Sequence, residues 1–347
     1  MTGTWIRRGS QAAAALALAA LAGCAGSETA TVNFSYPVRA GKGLPPGMKQ
    51  IAILPAKVTE STDPKWSDMS TTIMASLVND SRSRFGTDVT VTERRDTKPV
   101  FDEADLAAAG MSTKKGGGGG QLMDADGYIV GKINVKTQVL AGRERTLSGL
   151  NLAGFGGHRS GGGRVDVQTE EVETVTRNMT VQTEFKLIDS SNAKVWEQFA
   201  PRTYSRSDRT KVNPIFGSSQ TEAALTPQDK IIYVLVERGA REFISQLMPC
   251  RIDVEAEIVS SGNKNCVDGV RLLRAEAWDE AVSNFKAALN ADGNDHAAAF
   301  GAGVASEASG NFDEALKFYN RACAGQENSS YREARDRVKM FGSRVQR

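Results

Sequence analysis

The sequence predicts a mixed α/β sheet domain followed by an all-α domain, and three observations carry that prediction. Between residues 47 and 250, apolar runs of strand length alternate with amphipathic segments of helical spacing. From residue 267 the apolar residues keep helical spacing only, and five of them recur at a fixed offset. Ahead of both, Arg7 and Arg8 precede an uncharged apolar run, Ala12 to Ala22, that ends in Leu21-Ala22-Gly23-Cys24. That run is too short to span a bilayer and reads as an export signal over residues 1–23.

Residues 24–46 are small, polar and proline-bearing, the composition of a tether. Phe34 and Tyr36 alternate with polar neighbours there, so an edge strand is the alternative. The sheet domain, residues 47–250, opens with Lys49-Gln50-Ile51-Ala52-Ile53-Leu54-Pro55, a buried strand closed by proline. Trp66, Met69, Ile73 and Leu77 recur at spacings of three and four, which places a helix over 65–80. A strand over 88–92, a short helix over 100–109 and a glycine run at 116–120 follow. Asp126 to Ile133 resumes a buried strand that continues toward Leu140. Met179, Val181, Phe185 and Leu187 alternate with polar residues, and Val195 to Phe199 returns as a hairpin partner across the turn at 189–192. Thr226-Pro227-Gln228-Asp229 opens a helix with threonine as its cap, and Ile232, Leu235, Val236, Phe243 and Leu247 form its buried stripe. Residues 251–266 connect to the last domain and contain one more strand, Ile252 to Val259.

Over 267–347, Gly269, Trp278, Ala281, Phe285 and Ala288 are followed by Gly303, Phe312, Ala315, Tyr319 and Ala322, each pair 34 residues apart. Small residues let paired helices approach closely and the aromatics fill the space between them. A helix from Ser330 to Phe341 closes the array.

Three resemblances attach to these residues. Leucine, two small residues and cysteine at the end of the apolar run resemble a bacterial lipobox, which implies that Cys24 is lipidated. Ala25 follows it where an aspartate would resemble the inner-membrane retention signal, so the outer membrane is expected. The segments KQIAILPA, VTERRD, DADGYIVGKI and EFKLIDSSNAKVWE resemble the CsgG-like family, which includes the curli secretion channel and related periplasmic lipoproteins. The 34-residue period resembles the tetratricopeptide repeat, with Gly293 standing where that family usually has proline. If this repeat holds a partner on a concave face, as that family usually does, Arg271, Arg274 and Asn284 are the candidate contacts.

The charge balance, 43 Lys+Arg against 41 Asp+Glu, leaves no net field to attract nucleic acid. Three cysteines remain after Cys24. Cys250 and Cys266 either form a disulfide that closes a roughly 15-residue loop, a gain of about 3 kcal/mol, or stay buried thiols beside Cys323. His158 and His296 have no cysteine or acid at metal-ligand spacing. Gly116–Gly120 lacks the Lys-Ser or Lys-Thr of a phosphate loop, and Gly157 to Gly161 lacks the G-x-S-x-G order. Acid pairs such as Asp102-Glu103 and Glu170-Glu171 sit in polar surroundings and read as solvated.

No catalytic residues, metal site or cofactor are therefore expected, and the chain is expected not to be an enzyme. It is expected to be a lipid-anchored periplasmic protein of the outer membrane that binds other envelope proteins through its repeats. The alternative, implied by the CsgG-like resemblance, is an oligomeric secretion channel for curli-type or other unfolded cargo, with hairpins from 135–170 and 180–212 as its wall. Homo-oligomerisation stays open between the two.

Overall fold

The computed structural model describes residues 28–60, 63–93, 125–151, 166–190, 194–211, 225–325 and 328–346. The expected export signal with Cys24, the helix expected at 100–109, the glycine run at 116–120 and the His158 loop lie outside these residues, as do residues 191 and 192 of the 189–192 turn. The described chain is mixed α/β, with a sheet and a C-terminal region of several helices. It divides into two compact units, Ala40–Cys250 and a second formed by Arg251–Arg347 with the described residues up to Arg39.

The first unit is built on one mixed sheet. β2 (Gln50–Ile53) lies between β4 (Thr90–Glu93) and β5 (Gly127–Asn151), parallel to both. The short β3 (Lys57–Thr59) pairs with β5 at Lys132–Asn134. β5, β6 (Asp166–Asp189) and β7 (Val195–Lys211) continue as an antiparallel run, so the sheet order is β4-β2-β5-β6-β7.

α1 (Lys65–Phe85) and α2 (Gln228–Leu247) join this sheet in one core. Ile73, Met74 and Val78 of α1 pack with Ile51, Ile53, Ile129 and Ile133 of the strands. Fully burying each such side chain is worth about 1.5–3 kcal/mol. α1 stops at Gly86, whose φ of 67° lets its N–H return to the Arg82 carbonyl. On α2, Ile232, Leu235, Val236, Phe243 and Leu247 are all buried, and Phe243 lies 5.7 Å from Phe185 between ring centres.

Three expectations about this unit change. The helix at 65–80 runs five residues further, to Phe85. Thr226 does not cap α2: the helix follows Pro227, while the Thr226 N–H donates to Asp208 at 2.6 Å and its carbonyl accepts from Arg177 at 3.1 Å. The strands of the hairpin expected at 179–199 are more than twice as long as the sequence pattern marks them.

The second unit holds α3 (Lys264–Arg274), α4 (Trp278–Ala291), α5 (His296–Ala308), α6 (Phe312–Gly325) and α7 (Ser329–Phe341). Asn263 caps α3 on the Asn265 N–H, Asp295 caps α5 on the Ala298 N–H, and Asn328 caps α7 on the Ser330 N–H. Beside the helices lies a two-stranded sheet of β1 (Thr29–Val38) and β8 (Cys250–Val259). β8 alternates strictly: Ile252, Val254, Ala256 and Ile258 are buried while Arg251, Asp253, Glu255 and Glu257 face out.

The tether expected at 24–46 is therefore corrected over its described part. Residues 29–38 form β1, because Ala30, Val32, Tyr36 and Val38 alternate inward and β8 offers an edge to pair with. Residues 41–43 are held as well, their N–H groups bonded to the Ser245 and Gln246 carbonyls at the end of α2.

The Cys250–Cys266 disulfide is also corrected. Both cysteines are buried thiols outside any disulfide, and the half-buried Cys323 is not bridged either. Cys250 begins β8 and Cys266 follows its far end. A ten-residue strand separates its ends by about 30 Å, far beyond the 7 Å that a disulfide tolerates between Cα atoms.

Candidate functional site

Two arrangements stand out, one in each unit. The first is the overhang of the antiparallel ribbon. β2 and β3 pair with β5 only as far as Asn134, and the helix side of the sheet ends near Thr137, where Gln228 at the start of α2 donates to the Thr137 hydroxyl at 3.1 Å. Beyond that point β5 and β6 stay paired from Gln138↔Asn178 to Asn151↔Asp166, with a bulge between Leu147 and Gly149. At about 3.4 Å per residue the overhang projects roughly 45 Å. β7 accompanies it as far as Thr174↔Lys211.

Every residue of β5 from Lys136 to Arg143 is exposed. Val139 and Leu140 are 44% and 43% exposed, and being consecutive they point to opposite faces. Following Val139 and Ala141 on one face comes Arg143, 3.7 Å from Glu173 across the pair. Following Leu140 and Gly142 on the other comes Glu144, 3.2 Å from Arg209 of β7. Neither face therefore sustains the apolar stripe that a lipid-facing strand requires. Among the described residues, the outer edges of β7 and of β5 beyond Asn134 carry no partner strand. The hairpins that the CsgG-like resemblance implies at 135–170 and 180–212 coincide with this arm, whereas residue periodicity alone marks strands only toward Leu140 and at 179–199, because polar residues on both faces weaken the period-two contrast.

The second arrangement is the packing of β1 on the helices. Phe34 lies 6.4 Å from Trp278 and Tyr36 lies 5.0 Å from Phe312, edge to face. The Tyr36 hydroxyl donates to Glu307 at 2.8 Å, the Tyr319 hydroxyl donates to it at 2.6 Å, and Arg337 clasps both its oxygens at 2.8 Å each. Glu307 is 1% exposed, so α5, α6, α7 and β1 meet on one buried carboxylate with four donors. Burial, with the Glu307 charge beside it, pushes both tyrosine hydroxyls well above their ordinary range. Burial disfavours the Arg337 cation, but the carboxylate outweighs it and holds the guanidinium charged.

At the other end of β1, the Glu28 carboxylate lies 2.8 Å from Arg271 and 3.5 Å from Arg274. The hydrogen bond from Arg271, against a smaller opposing effect of burial, lowers the Glu28 pKa below the usual glutamate value. Arg274 also donates to the Thr29 carbonyl. Two of the three candidate partner contacts are thus engaged by the chain's own Glu28 and Thr29 at the start of β1. The Asn284 amide is spent within its own helix on the Glu280 carbonyl, at 3.0 Å.

The residues of the 34-residue pattern lie as follows. Ala281, Phe285 and Ala288 on α4 and Ala315, Tyr319 and Ala322 on α6 are buried, while Trp278 and Phe312 are partly buried at the helix starts. Gly269 faces the Phe285 ring and Gly303 faces the Tyr319 ring, at approaches that leave no room for a methyl group. His296 starts α5. Among the described residues, no three of His, Cys, Asp and Glu are grouped to hold a metal ion, and no helix is long and apolar enough to cross a membrane.

No protein-family model and no curated protein sequence matches the chain. Similar solved structures include a homolog of neuraminyllactose-binding hemagglutinin from Helicobacter pylori, at 9% identity over 59% of this chain and 88% of that one, with a TM-score of 0.28. A PelC dodecamer from Paraburkholderia phytofirmans is 14% identical over 64% of this chain and 99% of that one, with a TM-score of 0.25. The lipoprotein GNA1162 from Neisseria meningitidis is 16% identical over 56% of this chain and 98% of that one, with a TM-score of 0.21. Likenesses at these TM-scores do not define a common fold.

Proposed function

We propose that this protein is an exported, non-enzymatic assembly factor of the bacterial envelope, held at the outer membrane by lipid on Cys24 and facing the periplasm. The supporting observation is the ribbon overhang. An antiparallel arm with polar faces and, among the described residues, two open edges offers backbone donors and acceptors to an added strand, from a partner or from a second copy. Such an arm has no evident use in small-molecule chemistry.

The helical unit is read as two tetratricopeptide-type repeats, α3–α4 and α5–α6, closed by α7. The support is the recurrence of the same close approach, glycine under an aromatic ring, at Gly269–Phe285 and again 34 residues on at Gly303–Tyr319.

The second reading, a CsgG-like channel for curli-type or unfolded cargo, draws on the length of the overhang, which exceeds the 9–11 residues a membrane strand needs. The charged pairs Arg143–Glu173 and Glu144–Arg209 weigh against it, since a lipid-facing position at mid-bilayer penalises arginine by about 2–4 kcal/mol.

Extraction of the lipidated chain in mild detergent, with light scattering and electron microscopy, separates the two. A monomer or small oligomer that captures an envelope partner through crosslinkers placed on β5 and β7 supports the assembly factor. A many-subunit ring with a central hole replaces it with the channel. Retention of the Cys24→Ser variant in the outer membrane defeats the lipid-anchor part of either reading.

A further inference from the structure

Only the step from Cys24 to Glu28 separates the lipobox cysteine from a residue that is held in place. Four residues reach at most about 14 Å whatever path they take. Glu28 is fixed on both sides: its N–H donates to the Ser260 hydroxyl at 2.8 Å and its carbonyl accepts from the Ser260 N–H at 2.8 Å. Its carboxylate is gripped by Arg271 and Arg274, and the strand that follows is secured along its length. Ala30 and Val32 are in the helical core, Tyr36 is on Glu307, and Val38 bridges to Val345.

We propose that the helical unit is held directly against the phospholipid headgroups, with the start of β1 and the adjoining face of α3 as its membrane-facing side. This rests on the reading of Cys24 as the lipidated residue. The chemistry of that side suits the partner. Arg271 and Arg274, with side chains 58% and 50% exposed, offset the Glu28 carboxylate and that of Asp268, 3.3 Å from Arg271, which would otherwise be pressed toward headgroup phosphates. Exposed Lys264 opens the same helix. Arginine and lysine at such a surface pair with phosphate oxygens by charge-assisted hydrogen bonds. The two arginines thereby act for the membrane rather than for a peptide in an open groove, and any partner of the helical unit is met at the lipid surface.

The test uses the full lipidated chain with Cys323→Ser, which leaves Cys250 and Cys266 buried, and a fluorophore placed at Lys264→Cys. The chain is reconstituted in vesicles of phosphatidylethanolamine and phosphatidylglycerol carrying a headgroup-linked acceptor. Strong energy transfer is expected, falling several-fold when a flexible Gly/Ser insertion of about 20 residues is placed between Cys24 and Glu28. Equal transfer with and without the insertion overturns the proposal. Mass spectrometry and vesicle flotation of the same samples report lipidation separately, so absence of lipid on Cys24 refutes the anchor reading itself.

Discussion

Removing the Arg337 guanidinium tests what holds the helical unit together. Glu307 has a fully buried side chain, while that of Arg337 is 16% exposed. Arg337→Ala leaves the carboxylate with only its two tyrosine donors. Stripping one partner from a buried pair costs about 3–5 kcal/mol. The lower end applies here, because the vacated guanidinium site opens to water and two strong donors remain. A loss of about 3 kcal/mol corresponds to roughly a hundredfold rise in the opening constant that governs amide exchange, and an equal fall in protection. The assay is hydrogen exchange by mass spectrometry on the full chain, reading the amides of α5, α6 and α7, which avoids assuming one cooperative transition for two units. The double variant Arg337→Met with Glu307→Gln removes both charges and should recover much of the protection, since replacing a whole pair is far cheaper than orphaning one member. Unchanged protection in Arg337→Ala, or a double variant as damaged as the single, would refute the reasoning.

Other expectations follow from the same geometry. A methyl group on Gly239 would sit 2.3 Å from the Thr183 hydroxyl oxygen and 3.0 Å from Tyr204, so Gly239→Ala should lower the stability of the sheet unit by about 1–3 kcal/mol. Adding Thr183→Ala should restore much of that loss in a urea melt; no rescue would show that the contact is not the cause. Ala315→Leu overfills the fully buried site on α6 and should cost a similar about 1–3 kcal/mol, read as loss of helical circular dichroism at a lower temperature. An unshifted melt would argue against close helix packing there.

Protonation offers a further check. The folded-state pKa of Glu28 lies below the ordinary 4.5, so its contribution is complete above that pH and is lost as pH falls through the folded value. Exchange at β1, corrected for the intrinsic rate, should therefore rise as pH falls below 4.5 in the native chain, and Glu28→Gln should flatten that rise. An identical acid response in the variant would mean that other carboxylates control it.

Some of this architecture was legible locally. Residues 50–54 and 126–133 read as strands because burial on both faces makes a continuous apolar run, and α2 read as a helix because its stripe at three- and four-residue spacing faces one core. The helices of the second unit were legible because a repeating close approach demands small residues at the same offsets, as at Gly269 and Gly303. The site was much less legible. Arg271 and Arg274 invited a reading as open contacts, since nothing nearby in sequence announces Glu28, more than two hundred residues away. Thr226 looked like a cap because its residue type and position fit one, yet Asp208 and Arg177 claim its backbone from neighbouring strands.

The sequence alone determined the strands at 50–53 and 127–133, the helices at 65–80 and 228–247, the apolar pattern ending at Cys24 and the 34-residue period, because each is written in residues close along the chain. Only the tertiary structure decided that residues 29–38 are a strand, that the ribbon projects past Thr137, and that Glu307 joins four elements. A strand's partner edge, a polar ribbon's pairing and a buried charge's counterion all lie far away in sequence, where local periodicity carries no record of them; Tyr36 and Glu307 stand 271 residues apart.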